Sequence, residues 1–396
     1  MNLTMTKTKS NTTSTTKPKP SFGSLILITS ILIGLFLSFF PPYTIFSLVF
    51  YPDIEILPFR PHPVPDLSAI TRSLDNHLIL LHLGEDVHGP ESIAFNSNGD
   101  LYFSTKNGGI RFIKSPLANG FVDLQVQPGL KGVKLESYPA INTGGRPLGL
   151  DFDADDNLVV VDPVKGLLKA NKVTGEISLL TTSVNGSTLN FMNDVTVNRQ
   201  DGTIYFTNSI SYAPVFGNKG EWVTEGPSKY ACMSMESVGK LISYNPITRQ
   251  TKVLLDNIAY ANGVSLDENA ESVYIAETCK YRVLRYWLVG PKAGRTDVVI
   301  NNLPGFPDGL EVGPNNRLFV SLFSMRSPFL DMIHQYPAVK RTFLSIPYLY
   351  TIFDKLNAAV LIADSNTGEF MELLKSSTNK ISSTYFKDNM LYIGSK

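Results

Sequence analysis

The feature that most constrains this chain is a repeated strand unit. It appears as PESIAFNSNGDLYFSTKNGGIRFIK, then PLGLDFDADDNLVVVDPVKGLLKAN, then NDVTVNRQDGTIYFTN with GKLISYNPITRQTKVLL. It continues as NGVSLDENAESVYIAETCKYRVLRYWL, as PDGLEVGPNNRLFVSLF with AVLIADSNTGEFMELL, and as SSTYFKDNMLYIGS. Each copy holds a short alternating strand, a polar Asn/Asp/Gly turn and a more apolar strand, usually followed by a third strand with Gly and a basic residue. The copies start near 91, 148, 193, 262, 308 and 382, about 45–70 residues apart, a period that fits four-stranded propeller blades with insertions. One blade cannot bury both its faces, so the units must stack around a centre. A sandwich of generic hairpins is the competing reading, and the recurring three-strand unit argues against it.

Two insertions interrupt the repeat. Residues 207–237 include Tyr212, Phe216, Trp222 and Tyr230, and residues 322–357 show helical periodicity broken by prolines. In a propeller such segments gather at one end, where they either roof the central pocket or decorate its packing. Charged residues make up 18% and aromatics 11%, which suits a well-buried, strand-rich fold. Lys+Arg and Asp+Glu balance at 35 each, so the chain lacks the broad basic footprint of a nucleic-acid binder. Cys232 and Cys279 form neither a metal-ligand cluster nor a disulfide framework, and the sequence leaves open whether they pair.

Residues 1–23 are Thr/Ser-rich and basic, and 24–50 carry the apolar run GSLILITSILIGLFLSFF followed by Pro41-Pro42 and YTIFSLVFYP. A core of roughly 17–20 apolar residues is long enough to span a bilayer. The preceding lysines place the N-terminus in the cytosol and the remainder in the lumen of the secretory pathway, in the endoplasmic reticulum or vacuole. A cleaved signal peptide is the alternative, but the run exceeds a typical signal core and Phe39-Phe40-Pro41 is a poor cleavage site. Residues 51–75 are proline-rich and read as an extended linker, with the propeller domain over 76–396. The sequon Asn185-Gly186-Ser187 is then a lumenal glycosylation site.

The first strand of each blade lines the central channel, so its starting residues converge on one axis. Aligning the copies gives Glu91, Leu148, Asn193, Asn262, Asp308 and Ser382, with Ser383 competing for the last register. Four of these are carboxylates or carboxamides, an oxygen-rich set that suits a hard cation such as calcium. Asp194, one step on, is read as a second shell that orients Asn193. Against this stands the ordinary use of Asn and Asp as turn caps.

The segments RPLGLDF, FMNDVTV with GTIYFTNS, GKLISYNP, ANGVSLDENAESVYIAET, NLPGFPDGLEV and LYIGS carry a family resemblance. Over about residues 80–396 the chain resembles the plant strictosidine synthase-like proteins, in their adipocyte plasma membrane-associated protein-like branch. The resemblance implies an all-β, six-bladed propeller of the calcium-dependent phosphotriesterase kind, here with an N-terminal transmembrane helix and a helical insertion. It also implies kinship with paraoxonase, gluconolactonase and diisopropylfluorophosphatase. The catalytic glutamate of strictosidine synthase falls on Ser382, and serine cannot relay protons as a carboxylate does. The paraoxonase calcium ligands fall on Glu91, Asn193, Asn262 and Asp308, with a fifth on Gly309 and the catalytic histidine on Leu148. The family pattern continues past LYIGS, so the last blade is expected to lack a strand.

Three functions follow as expectations. The first is a membrane-anchored lumenal hydrolase of esters or lactones, with calcium in the channel and Glu91 or Asp308 activating water. The second is an amine–aldehyde condensing enzyme, which needs a replacement for Ser382; Glu277 and Glu311 are its candidates. The third is a non-catalytic binding propeller. All three take a small molecule as ligand. His88 is read as a surface residue near the pocket rim.

Overall fold

The computed structural model describes residues 55–74, 81–82, 89–114, 133–134, 138–217, 220–345, 357–376 and 380–395. The basic tail, the apolar anchor and His88 lie outside the described residues. All described residues belong to one compact unit, Asp53–Lys396.

The chain is an all-β propeller. Four meandering sheets have four strands each and start from Ile93–Phe95, Gly149–Phe152, Met192–Val197 and Ala261–Leu266. A fifth starts from Gly305–Gly313 and carries an additional parallel strand, Thr71–Ser73, on its outer edge. A two-stranded hairpin, Ile381–Lys387 with Met390–Ser395, follows. Each first strand touches the first strands of its neighbours, and Ile381–Lys387 touches both Gly305–Gly313 and Ile93–Phe95. The ring of first strands therefore closes through the hairpin. Of the six blades expected, the last of them short of a strand, the described residues form five full blades and a two-stranded hairpin. Asp388 and Asn389, both with positive φ, supply the tight turn that joins the hairpin's strands.

Burial explains why the strands read differently in the sequence. The second strands Leu158–Asp162, Ile204–Asn208 and Ser272–Glu277 are buried at every position, because both faces of a blade pack against the next. The first strand Met192–Val197 mixes buried and half-buried positions where it meets the channel, and the outer strand Gln250–Ile258 is exposed or half-buried at all but its last residue. The core is thus a series of interfaces between blades. One packs Val159, Val161 and Leu167 of the second blade on Val195, Phe206 and Ile242 of the third.

Both insertions form helices. Glu225–Ser234 (α1) lies between the second and third strands of the third blade. Pro328–Ile333 (α2) and Pro337–Ser345 (α3) occupy the same place in the fifth. Met233 of α1 packs with Leu330 and Ile333 of α2 and with Phe343 and Leu344 of α3, making a helical cap. Cys232 and Cys279 form a disulfide that ties α1 to the fourth blade.

The domain boundary moves. The proline-rich segment, read as a linker, has its residues 55–74 within the propeller unit. Leu57 N donates to Ser234 O at 2.9 Å, Phe59 N donates to His334 O at 2.8 Å, and Lys340 Nζ donates to Leu57 O. Arg326 Nη2 donates to His62 O at 2.6 Å and Asn302 Nδ2 to Pro63 O at 2.8 Å. Asn185 is exposed at the turn of a small hairpin, Ser183–Val184 with Ser187–Thr188.

Candidate functional site

Four first strands break register near their start, between Met192 and Val195, Ala261 and Val264, Pro307 and Leu310, and Ile381 and Ser383. Asn193, Asn262, Asp308 and Ser382 of the aligned ring sit in these bulges, which free backbone from the ladder and re-aim side chains. Glycines make the close approach of adjacent first strands possible. A Cβ on Gly263 would lie 2.3 Å from Asp308 O, and one on Gly309 would lie 2.8 Å from Ser382 O. Position 309 is thus filled by neighbouring backbone, which leaves no room there for a ligating side chain.

The bulges deliver consecutive residues to opposite ends of the channel. Glu91, Asn193, Asn262 and Asp308 line one pocket of about 70 Å³ at the capped end, together with Leu148. Ser92, Asp194 and Gly309 line a second cavity of about 430 Å³ at the far end. The four predicted ligands therefore share a cavity. Ser382 does not face it: its hydroxyl shares its one proton between Glu91 O at 3.0 Å and Gly394 O at 3.3 Å, fastening the hairpin to the first blade.

Asp194 does not support Asn193, and that expectation is corrected. Its Oδ2 accepts from Val264 N at 2.9 Å, and its own backbone N donates to Thr207 Oγ1 at 3.1 Å. The partner of Asn193 is Ser209. Asn193 Nδ2 donates to Ser209 Oγ at 2.8 Å, and Ser209 Oγ donates to Ala261 O at 2.7 Å. The fourth blade repeats the device: Asn262 Nδ2 donates to Thr278 Oγ1 at 3.1 Å, and Thr278 Oγ1 donates to Pro307 O at 2.6 Å. A hydroxyl has one proton, and here each gives it to a backbone carbonyl. It can then only accept from the amide, so the amide NH₂ is held back and the carboxamide oxygen is turned away from the hydroxyl. The sequence carried this signal, since each hydroxyl follows its asparagine by sixteen residues.

Arg146, 1% exposed, was not anticipated. Its Nη2 is bonded to Glu91 Oε2 in a buried pair, while its Nη1 is buried without a partner among the described residues. The sequence offered only an arginine two residues before Leu148.

The roof comes from α1, whose Thr224 N-cap, Glu225, Ser228, Lys229 and Cys232 line the pocket. Ser228 Oγ donates to Thr224 O at 2.8 Å, so its 2.5 Å bond with Tyr260 is donated by the tyrosine. Burial pushes the Tyr260 phenol up, with Asp308 and Glu91 adding to the shift, so it keeps its proton. Lys106 Nζ pairs with Glu225 at 3.2 Å. Thr224 Oγ1 is buried in the pocket wall without a partner among the described residues. Phe191, Pro307 and Phe323 give the pocket its apolar side.

Glu277 is fully buried and bonded to Arg282, Lys280 and Ala259 N, and it lines neither cavity. Glu311 lines the far one. Among the described residues no three His, Cys, Asp or Glu side chains gather as a metal cluster. The donor set at the capped end therefore consists of two carboxylates and two oriented amides. That chemistry fits calcium, which takes neutral amide oxygens with carboxylates; the Arg146 charge reduces the attraction.

The strictosidine synthase family pattern matches residues 193–291, and that of the strictosidine synthase-like N-terminal region matches residues 77–113. The adipocyte plasma membrane-associated protein of Bos taurus is 30% identical over 348 residues, covering 84% of this chain and 77% of that one. The Arabidopsis thaliana protein Strictosidine synthase-like 3 is 28% identical over 393 residues, covering 92% of this chain and 96% of the other. Among solved structures, a gluconolactonase from Xanthomonas campestris superposes with a TM-score of 0.53 at 15% identity, over 86% of this chain and 93% of that one. A luciferin-regenerating enzyme does so with a TM-score of 0.52 at 13% identity, over 78% and 84%. At those identities the likeness to the two solved structures is one of fold. The order of the repeats, the motifs that carry them and the relatives agree: the chain belongs to the strictosidine synthase-like family.

Proposed function

We propose that the capped end of the channel is a calcium-assisted hydrolytic site for a small ester or lactone. The propeller that carries it is held at a secretory-pathway membrane by residues 24–50, with Asn185 glycosylated on the lumenal side. In this reading the closing hairpin stands as a reduced sixth blade. The observation that carries the hydrolytic reading is the orientation of Asn193 and Asn262, whose amide hydrogens are held back so that their carbonyl oxygens are left for a cation beside Asp308 and Glu91. The likeness to a gluconolactonase fold supports it as analogy.

Bound calcium would supply Lewis-acid polarisation of the ester carbonyl. Asp308 is assigned as general base, because Arg146 already holds Glu91. As the water oxygen bonds to the carbonyl carbon, Asp308 takes the water's proton. When the C–O bond to the leaving alcohol breaks, the alkoxide takes that proton back, giving acid and alcohol. Thr224 Oγ1 supplies a hydrogen bond to the ligand, and Phe191 and Phe323 pack its apolar part.

The test is turnover of a panel of aryl esters and lactones by the full chain, with calcium and with a chelator. Calcium-dependent hydrolysis, lost in Asp308→Asn and weakened in Thr224→Val, is the expected result. Hydrolysis that continues unchanged under chelation would overturn the metal role. The buried Arg146–Glu91 pair favours a second reading, a non-catalytic binding propeller, because it neutralises one of the two carboxylates. Ligand binding without turnover on the panel, extended to amine–aldehyde pairs, would select it.

A further inference from the structure

The charges around the capped pocket balance before any ligand enters. Its lining holds three acids, Glu91, Glu225 and Asp308, and one lysine, Lys229. Arg146 bonds Glu91 and Lys106 bonds Glu225, so three positive groups stand against three negative ones. A calcium ion on Asn193, Asn262 and Asp308 adds two positive charges under the helical roof, beside the apolar side made by Phe191, Pro307 and Phe323. Net charge in such a site is costly unless a partner accompanies it. A ligand that brings negative charge therefore binds there better than a neutral one of the same shape.

The roof supplies the place for that charge. Thr224, the N-cap of α1, is 2% exposed and lines the pocket, and its Oγ1 makes no bond to the helix it caps. An N-cap hydroxyl ordinarily accepts from the N–H of the second or third helical residue. The third residue of α1 is Pro227, which has no N–H to give. The sequence Thr-Glu-Gly-Pro thus removes one ordinary use of the hydroxyl, and no other partner takes its proton among the described residues. The first turn of this ten-residue helix adds the positive end of its dipole. Glu225, in the same turn, is already held by Lys106 at 3.2 Å, and Lys229 lines the same wall.

We propose that the substrate of the capped site is an ester or lactone that also carries a carboxylate, which accepts a hydrogen bond from Thr224 Oγ1 at the first turn of α1. This substrate class rests on the calcium reading for its charge balance, and on the uncapped Thr224 hydroxyl independently of it. Thr224 is then a specificity residue: it selects the acidic end of the ligand, while the reacting carbonyl lies across the pocket toward Asn193, Asn262 and Asp308.

The experiment is calorimetric binding of a matched pair of probes to the full chain, with saturating calcium and with a chelator. Glutaramate has a carboxylate at one end and an amide carbonyl in place of the ester at the other. Glutaramide has the same shape with both ends neutral. With calcium, glutaramate is expected to bind about tenfold more tightly, as a hydrogen bond to a charged group requires. Thr224→Val should abolish that preference, and Thr224→Ser, which keeps the hydroxyl, should retain it. A merely structural role for Thr224 would weaken both probes alike in Thr224→Val. Equal binding of the two probes, no binding of either, or a preference that survives Thr224→Val overturns the proposal. So does a preference undiminished by the chelator, because the charge of calcium is then not what selects the carboxylate. Neither probe needs turnover. Calcium-dependent preference for glutaramate without hydrolysis of monomethyl glutarate therefore supports the carboxylate subsite while refuting the hydrolytic reading.

Discussion

The two ends of the channel are built by the same bulges and have opposite electrostatics. At the capped end two of the three acids are matched by cations, Glu91 by buried Arg146 and Glu225 by Lys106. At the far end Asp151, Asp194 and Glu311 share a cavity, with Arg199 reaching Asp151 at 3.4 Å. Burial pushes Asp194 up to about 7, against hydrogen bonds from Val264 and Val195 and with help from Asp151 and Glu91. It also raises Glu311 well above the usual carboxylate range, reinforced by Asp151 and Asp194. Consecutive residues of one bulge serve the two ends, so a single-residue step along the chain separates two chemistries. The capped end is arranged to keep charge for a ligand, and the far end to hold protons.

Breaking the match at the capped end should have the largest effect. Arg146→Met removes the cation bonded to the partly buried Glu91, with an expected loss of about 3–5 kcal/mol in urea unfolding. Adding Glu91→Gln should restore much of that loss, because the cost is that of the partly buried charge. The disulfide belongs only to the capped end and closes a sequence separation of 47 residues. Replacing both cysteines by serine should cost about 2–4 kcal/mol and loosen α1, read as faster amide exchange over Glu225–Ser234.

The two ends should also answer pH with opposite signs. Asp194 binds a proton in the folded state that the unfolded chain releases between about pH 4 and 7, so its contribution to stability falls as pH rises through that window. His334, at the cap, is pushed down to about 3 by burial and by Lys340 and Arg326. The unfolded chain protonates it below about pH 6.5 while the folded chain does not, so its contribution rises with pH. Asp194→Asn should tilt the stability profile upward between pH 4 and 6.5, and His334→Leu downward, each by no more than about 1.4 kcal/mol per pH unit. Urea midpoints across that range provide the measurement. A smaller effect is expected at the closure: Ser382→Ala removes the bonds to Glu91 O and Gly394 O and should cost about 1 kcal/mol.

Much of this architecture was legible because each blade repeats one strand pattern around one axis. Alignment alone placed Glu91, Asn193, Asn262 and Asp308 in a common cavity. The role of Asp194 was misread because a bulge changes where successive side chains point, and sequence spacing does not display a bulge. Arg146 was missed because an arginine beside a turn looks like surface. Residues 55–74 were read as part of an extended linker because proline content does not report what the backbone is bonded to. The hydroxyls of Ser209 and Thr278 were visible at matching positions, but their meaning depends on which carbonyl takes the proton.

Calcium titration of the full chain followed by calorimetry, across single variants at each end, tests the central claim most directly. One site is predicted, lost in Asp308→Asn and Asn262→Leu and kept in Asp194→Asn. Binding that survives Asp308→Asn and disappears in Asp194→Asn would place the cation at the far end and contradict the account.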